Sequence, residues 1–163
     1  MSKRLAAFFV LAGLAFGESS RALDFIQNGW HLALGSATGS VTEYSITLKL
    51  GEPRQVTRRT EPNRHDPSAS NEIVQMHYDG IDITLLKTPQ KVFVTDFVIS
   101  SPKVLVGDAF KVGTSGSRLK ELGDGRIEQG RRCYHNLEAY DDSACFTIRD
   151  GIIAQVEWHY EID

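Results

Sequence analysis

The chain has few of the residues that carry recognised chemistry. Of 163 residues only two are cysteine, two methionine and two tryptophan, and the five histidines are scattered at 31, 65, 77, 135 and 159. There is no Gly-rich phosphate loop, no Gly-x-Ser-x-Gly elbow, no His-Glu-x-x-His and no Cys-x-x-Cys, so the enzyme classes those arrangements serve have no sequence support. A basic block is missing too: 18 Lys and Arg stand against 21 Asp and Glu, which lacks the electrostatic footprint of a nucleic-acid binder. The expectation is a non-enzyme that needs no metal and no cofactor and does not bind nucleic acid.

What is present begins at the N-terminus. Lys3 and Arg4 precede an apolar or small run over 5–17, followed by Glu18-Ser19-Ser20-Arg21. That is the order of a secretory signal, and the run is shorter than the roughly 20 apolar residues that cross a bilayer. Ser20-Arg21-Ala22 and Ala15-Phe16-Gly17 both fit a small-x-small cleavage site. The reading is a signal peptide over 1–22 and a single mature domain over 23–163, in the periplasm or secreted. No cysteine follows the apolar run, so a lipid anchor is not expected. Loss of Lys3, Arg4, Arg21 and Glu18 leaves 15 basic and 20 acidic residues, a mildly acidic chain.

Two cysteines in an oxidising compartment point to one structural disulfide, Cys133 with Cys145. His135, two residues from Cys133, leaves a catalytic thiol as the alternative.

An internal repeat organises the rest. Ser40-Val41-Thr42-Glu43 has the Ser-x-x-Glu form of a capping box, opening a helix that Gly51 and Pro53 stop. In the second half Thr114-Ser115-Gly116-Ser117 precedes a short helix over 118–122 that Gly123-Asp124-Gly125 ends. Strand-like runs at 72–78, 81–86 and 92–100 follow the first helix, with turns at Asp79-Gly80 and Thr88-Pro89-Gln90-Lys91. Runs at 132–140, 144–149 and 152–160 follow the second, with turns at Asp141-Asp142 and Asp150-Gly151. Tyr-Asp closes the first strand in both halves. The predicted fold is α+β: two tandem repeats, about 32–105 and 106–163, each a short helix plus a three-stranded antiparallel meander, forming one curved sheet with helices on one face.

Residues 54–71 hold Arg54, Arg58, Arg59 and Arg64 with interleaved acids and no apolar period, which reads as a solvated loop rather than an anion site. Side-chain alternation places Ile152, Ala154, Val156, Trp158 and Tyr160 on one face of the last strand, and Ile153, Gln155, Glu157, His159 and Glu161 on the other. The 92–100 run is apolar on both faces, with Val92, Val94 and Val98 alternating with Phe93, Phe97 and Ile99. Its outward row is either a binding surface or is covered by the segment 25–34. Glu157 with His159 could supply two metal ligands but lacks a third. Asp79, Asp82, Asp141 and Asp142 are better explained by turn chemistry than as paired catalytic carboxylates.

The repeat order, Lys111-Val112-Gly113-Thr114, Leu122-Gly123-Asp124-Gly125, the two cysteines, Phe146-Thr147-Ile148 and Asp150-Gly151-Ile152-Ile153 together resemble the beta-lactamase inhibitor protein fold. A single repeat of that fold is similar to small outer-membrane assembly lipoproteins. The resemblance covers about 32–163. It implies a partner gripped by the concave sheet face and the hairpin loops, which carries over to Tyr78, Asp79, Tyr140, Asp141, Gln155, Glu157 and His159. The expected function is an exported binding protein that neutralises a periplasmic or secreted enzyme or toxin by occluding its active site. The rivals are an envelope-assembly module and a small hydrolase or ligand carrier.

Overall fold

The computed structural model describes residues 21–29, 41–104, 110–136 and 142–162. Helix α1 covers 21–29 and α2 covers Glu43–Leu50. Eight strands follow: β1 Gln55–Pro62, β2 Ser70–His77, β3 Ile81–Lys87, β4 Val92–Ile99, β5 Arg126–Glu128, β6 Arg131–His135, β7 Ser143–Arg149 and β8 Ile152–His159, with a 3-10 helix at Gly116–Leu122 before β5. All eight join one antiparallel sheet in the order β1-β2-β3-β4-β8-β7-β6-β5.

This corrects the predicted architecture of two helix-plus-three-strand repeats with helices on one face. A single eight-stranded sheet dominates, and only short helical segments accompany it among the described residues. The error has a local source. Residues 55–62 lie within the 54–71 stretch expected to be a loop, carry no apolar alternation and are mostly exposed. They are nevertheless an edge strand, paired along its length from Gln55↔His77 to Pro62↔Ser70. Strand β5 is a second missed edge. It turns into β6 through Gln129 (φ 49°) and Gly130 (φ 79°), the pair of left-handed residues that a two-residue hairpin turn requires. Asp150 (φ 51°) and Gly151 (φ 75°) make the same kind of turn between β7 and β8, where the sequence predicted one.

The helix starts are also refined. The cap of α2 is Thr42, whose hydroxyl accepts from the Ser45 N–H while the Ser45 hydroxyl receives the Thr42 N–H, so the box lies two residues beyond the one expected from Ser40. The second helix begins at Gly116, capped by Ser115, and is 3-10 rather than α.

One core cluster gathers a single side of every strand from β2 to β4 and β6 to β8 together with residues of the helical segments. Val74, Met76, Ile83, Leu85, Phe97, Ile99, Phe146, Val156 and Trp158 meet Phe25, Ile26, Ile46, Leu119 and Leu122. Two bulges decide which residues join it. Leu85 lies opposite Val94 while Thr84 lies opposite Asp96, so Thr95 is an extra residue in β4. In β8 Ala154 is extra in the same way, between the pairs Ile148↔Ile153 and Thr147↔Gln155. An extra residue shifts side-chain alternation by one. Hence Ile153 is fully buried while Ile152 is 43 % exposed, the reverse of the predicted face assignment, although Val156, Trp158 and Tyr160 fall on the core side as expected. Likewise Phe97 and Ile99 join Val94 in the core, while Phe93, Asp96 and Val98 fall in the rows of the other face.

Candidate functional site

The sheet face turned away from the core cluster is the outer face. Its rows follow from the ladder register. One row runs Arg59, Ile73, Leu86, Phe93; the next runs Thr57, Gln75, Thr84, Asp96, His159, Ser143. A third passes through Gln55, His77, Asp82, Val98, Glu157, Cys145 and Cys133.

Acid–base pairs cross this face between strands. His77 Nδ1 meets Asp82 Oδ1 at 2.7 Å, His159 Nδ1 meets Asp96 Oδ1 at 2.8 Å, and His135 Nε2 meets Glu128 Oε1 at 2.9 Å. Arg131 Nη1 donates to Glu157 Oε2 at 2.6 Å, reaching over β7. Asp96 also accepts from the Thr95 hydroxyl through its second oxygen. A carboxylate on Nδ1 fixes the orientation of the His77 and His159 rings on the sheet. Histidine–carboxylate pairs recur at His77 through Nδ1 and at His135 through Nε2, which marks them as a cross-strand feature of this surface, and no hydroxyl or thiol nucleophile hydrogen-bonds to His159 among the described residues. Glu157 and His159, considered as a ligand pair for a metal, are engaged by different partners, Arg131 and Asp96.

Cys133 and Cys145 are disulfide-bonded and lie directly opposite each other in the β6–β7 ladder, with Cα atoms 4.1 Å apart. That is the close, non-hydrogen-bonded position of an antiparallel pair. Both are buried, yet neither belongs to the core cluster, which places the bond on the outer face.

At one end of the outer face is a cleft of about 620 Å³. Ile73, Leu86 and Phe93 line it from three adjacent strands. Arg59 continues their row, Arg64 and His65 come from the β1–β2 connection, Lys91 from the β3–β4 turn, and Glu161 and Ile162 from the chain beyond β8. Asn63 donates to Asn71 at 3.0 Å, holding the β1–β2 connection against β2. The sequence carried a partial signal for this cleft, an apolar outward row in 92–100 and an arginine cluster in 54–64. With no apolar period over 54–71, nothing in the sequence signals that the two are adjacent.

The predicted partner-binding residues divide. Gln155, Glu157 and His159 share the outer face of β8. Tyr78 packs against the core cluster, and burial pushes its phenol above the usual range. Asp79 forms the turn with Gly80 and pairs with Arg54 at 3.2 Å, both side chains exposed. Tyr140 and Asp141 lie outside the described residues. The hydroxyl of Tyr134, in β6, donates to the Leu119 carbonyl at 2.7 Å. Among the described residues no helix is long and apolar enough to cross a membrane.

No family model matches the chain. Among solved structures it is similar to the uncharacterized protein yfeY from Escherichia coli, at 9 % identity and a TM-score of 0.38 over 78 % of this chain and 94 % of that one. A likeness this distant assigns neither fold nor function.

Proposed function

We propose that the chain is an exported, non-enzymatic binding protein that neutralises a periplasmic or secreted enzyme or toxin, with the outer face of its sheet as the contact surface. The observation that carries this reading is the composition of that face: Gln155, Glu157 and His159 of β8 lie beside Asp96 and Val98 of β4. Cross-strand acid–base pairs and the Cys133–Cys145 bond tie the strands together around them.

Its size suits the task. Seven inter-strand spacings of about 4.8 Å by a mean strand length of about 23 Å give a face of just under about 800 Å², about what one partner contributes to a standard protein–protein interface. Pre-formed polar side chains on a stiff sheet lower the ordering cost of association. The resemblance to beta-lactamase inhibitor proteins belongs to this proposal, as does occlusion of the partner's active site as the mechanism.

Affinity capture from envelope extract with the wild-type chain and with Gln155→Arg/Glu157→Arg tests it. The expected outcome is a partner enzyme or toxin whose activity falls on addition of the wild type and which the double variant no longer retains. A partner held equally by the double variant would move the interface off this face.

A further inference from the structure

We propose that the free edge of β1 is a self-association surface, through which two copies of the chain pair antiparallel to make one continuous sheet. The inference goes beyond the protein-partner reading and does not depend on it. Strand β1 ends the sheet order, and the Asn63 N–H donates to the Ala69 carbonyl at 3.1 Å. These two residues continue the ladder in which Arg59 faces Ile73. The backbone groups of the odd-numbered residues therefore turn to β2, and the N–H and C=O of Val56, Arg58 and Thr60 face away from it. No strand pairs with that side among the described residues.

Side chains select the occupant. Charge usually shields an exposed edge, but Arg58 is held by Glu43 and Glu72, and the remaining pair, Arg59 and Glu61, has opposite signs. An antiparallel copy centred on Thr60 sets Arg59 of each chain opposite Glu61 of the other, in the non-hydrogen-bonded positions where side chains approach most closely. Thr60 then exchanges two N–H···O bonds with its own counterpart, and Pro62, which lacks an N–H, ends the ladder. An apolar patch lies along the same edge. Helix α2 runs parallel to β2, because Glu43 at its start meets Arg58 and Lys87, while Gly51 at its end leads to Gln55 beside His77. With Ile46 and Leu50 packed on the core, the right-handed turn of the helix puts Tyr44 and Leu48 on the flank above β1. They are 73 % and 69 % exposed, and Val56, on the same side of the sheet, is 39 % exposed. Pairing through β1 sets the two α2 helices about 14 Å apart on one face, three strand spacings. Helices about 10–12 Å across with their side chains then cover each other's Tyr44 and Leu48.

Sedimentation velocity on the purified chain tests the surface. The wild type should dimerise with Kd below about 100 μM. Thr60→Pro removes the central N–H without touching the β2 ladder, and should sediment as a monomer with an unchanged circular dichroism spectrum. Tyr44→Lys/Leu48→Lys, on an exposed helix flank, should melt as the wild type does and weaken the dimer at least about tenfold. Arg59→Glu and Glu61→Arg should each weaken it likewise, and the double swap Arg59→Glu/Glu61→Arg should restore it. The proposal is overturned if the wild type stays monomeric above about 100 μM, if Thr60→Pro leaves the dimer intact, or if the double swap associates no better than the single reversals. Gln155→Arg/Glu157→Arg should dimerise as the wild type does, so failure here is distinguishable from failure of the protein-partner reading. Loss of the dimer in that variant would put the contact on the outer face and overturn the proposal as well.

Discussion

The indole N–H of Trp158 donates to the carbonyl oxygen of Phe25 at 3.1 Å, joining the last strand to α1 across 133 residues of chain. The Tyr160 hydroxyl donates to the Ile26 carbonyl at 3.0 Å in the same manner. The Phe25 ring also lies 5.5 Å from Phe146 and 5.2 Å from Trp158 by centroid. Phe25 and Ile26 are therefore integral to the fold, and removal of the segment that carries them should leave Trp158 uncovered.

Trp158→Ala is expected to destabilise by about 3–5 kcal/mol, because the side chain is fully buried and a cavity would remain. Trp158→Phe should cost about 1–3 kcal/mol through the orphaned Phe25 carbonyl. Gly29 packs directly on the indole, and a Cβ there would overlap the ring; Gly29→Ala should cost about 1–3 kcal/mol by overpacking. Urea denaturation of the three variants measures all of these, and an unchanged midpoint for Gly29→Ala would refute the close approach.

Cys133→Ser/Cys145→Ser should lose roughly 3 kcal/mol, the chain-entropy value for a loop of about this length. Intact mass before and after alkylation should detect no free thiol in protein purified from an oxidising compartment. Two alkylated thiols there would contradict the bond.

The bulge at Ala154 makes neighbouring isoleucines unequal. Ile153→Ala should cost about 2–5 kcal/mol, whereas Ile152→Ala should stay within about 0.5 kcal/mol of the wild type. Equal losses would show that alternation runs through β8 unbroken.

Acid sensitivity should trace in part to the edge beside α2. Glu43 and Glu72 both pair with Arg58 and Lys87. The hydrogen bond from Arg58 holds the Glu43 carboxyl below its ordinary value of 4.5, and the one from Lys87 does the same for Glu72. A carboxyl depressed on folding contributes stability that is present above its unfolded value and lost as pH falls through the folded one. Stability should therefore drop below about pH 4.5, and less steeply in Glu43→Gln than in the wild type. Burial raises the Asp142 carboxyl, which acts in the opposite sense, so the comparison between the two proteins isolates Glu43. High salt should shrink their difference because the pairs are partly exposed.

Local chemistry was legible without the structure. Asp150-Gly151 had to turn because its residues tolerate left-handed backbone, Gly51 and Gly123 had to end their helices, and the apolar alternation around Val156 and Trp158 had to face a core. Only the tertiary structure decided the rest. Residues 55–62 carry no apolar period, so nothing but pairing with β2 makes them a strand. One extra residue at Thr95 and one at Ala154 invert the faces of everything before them, and a period-2 reading has no means of detecting an insertion that costs it a single register step. The cleft is likewise a product of register, since Arg59, Ile73, Leu86 and Phe93 come from four strands and become a row only when the ladders bring them side by side.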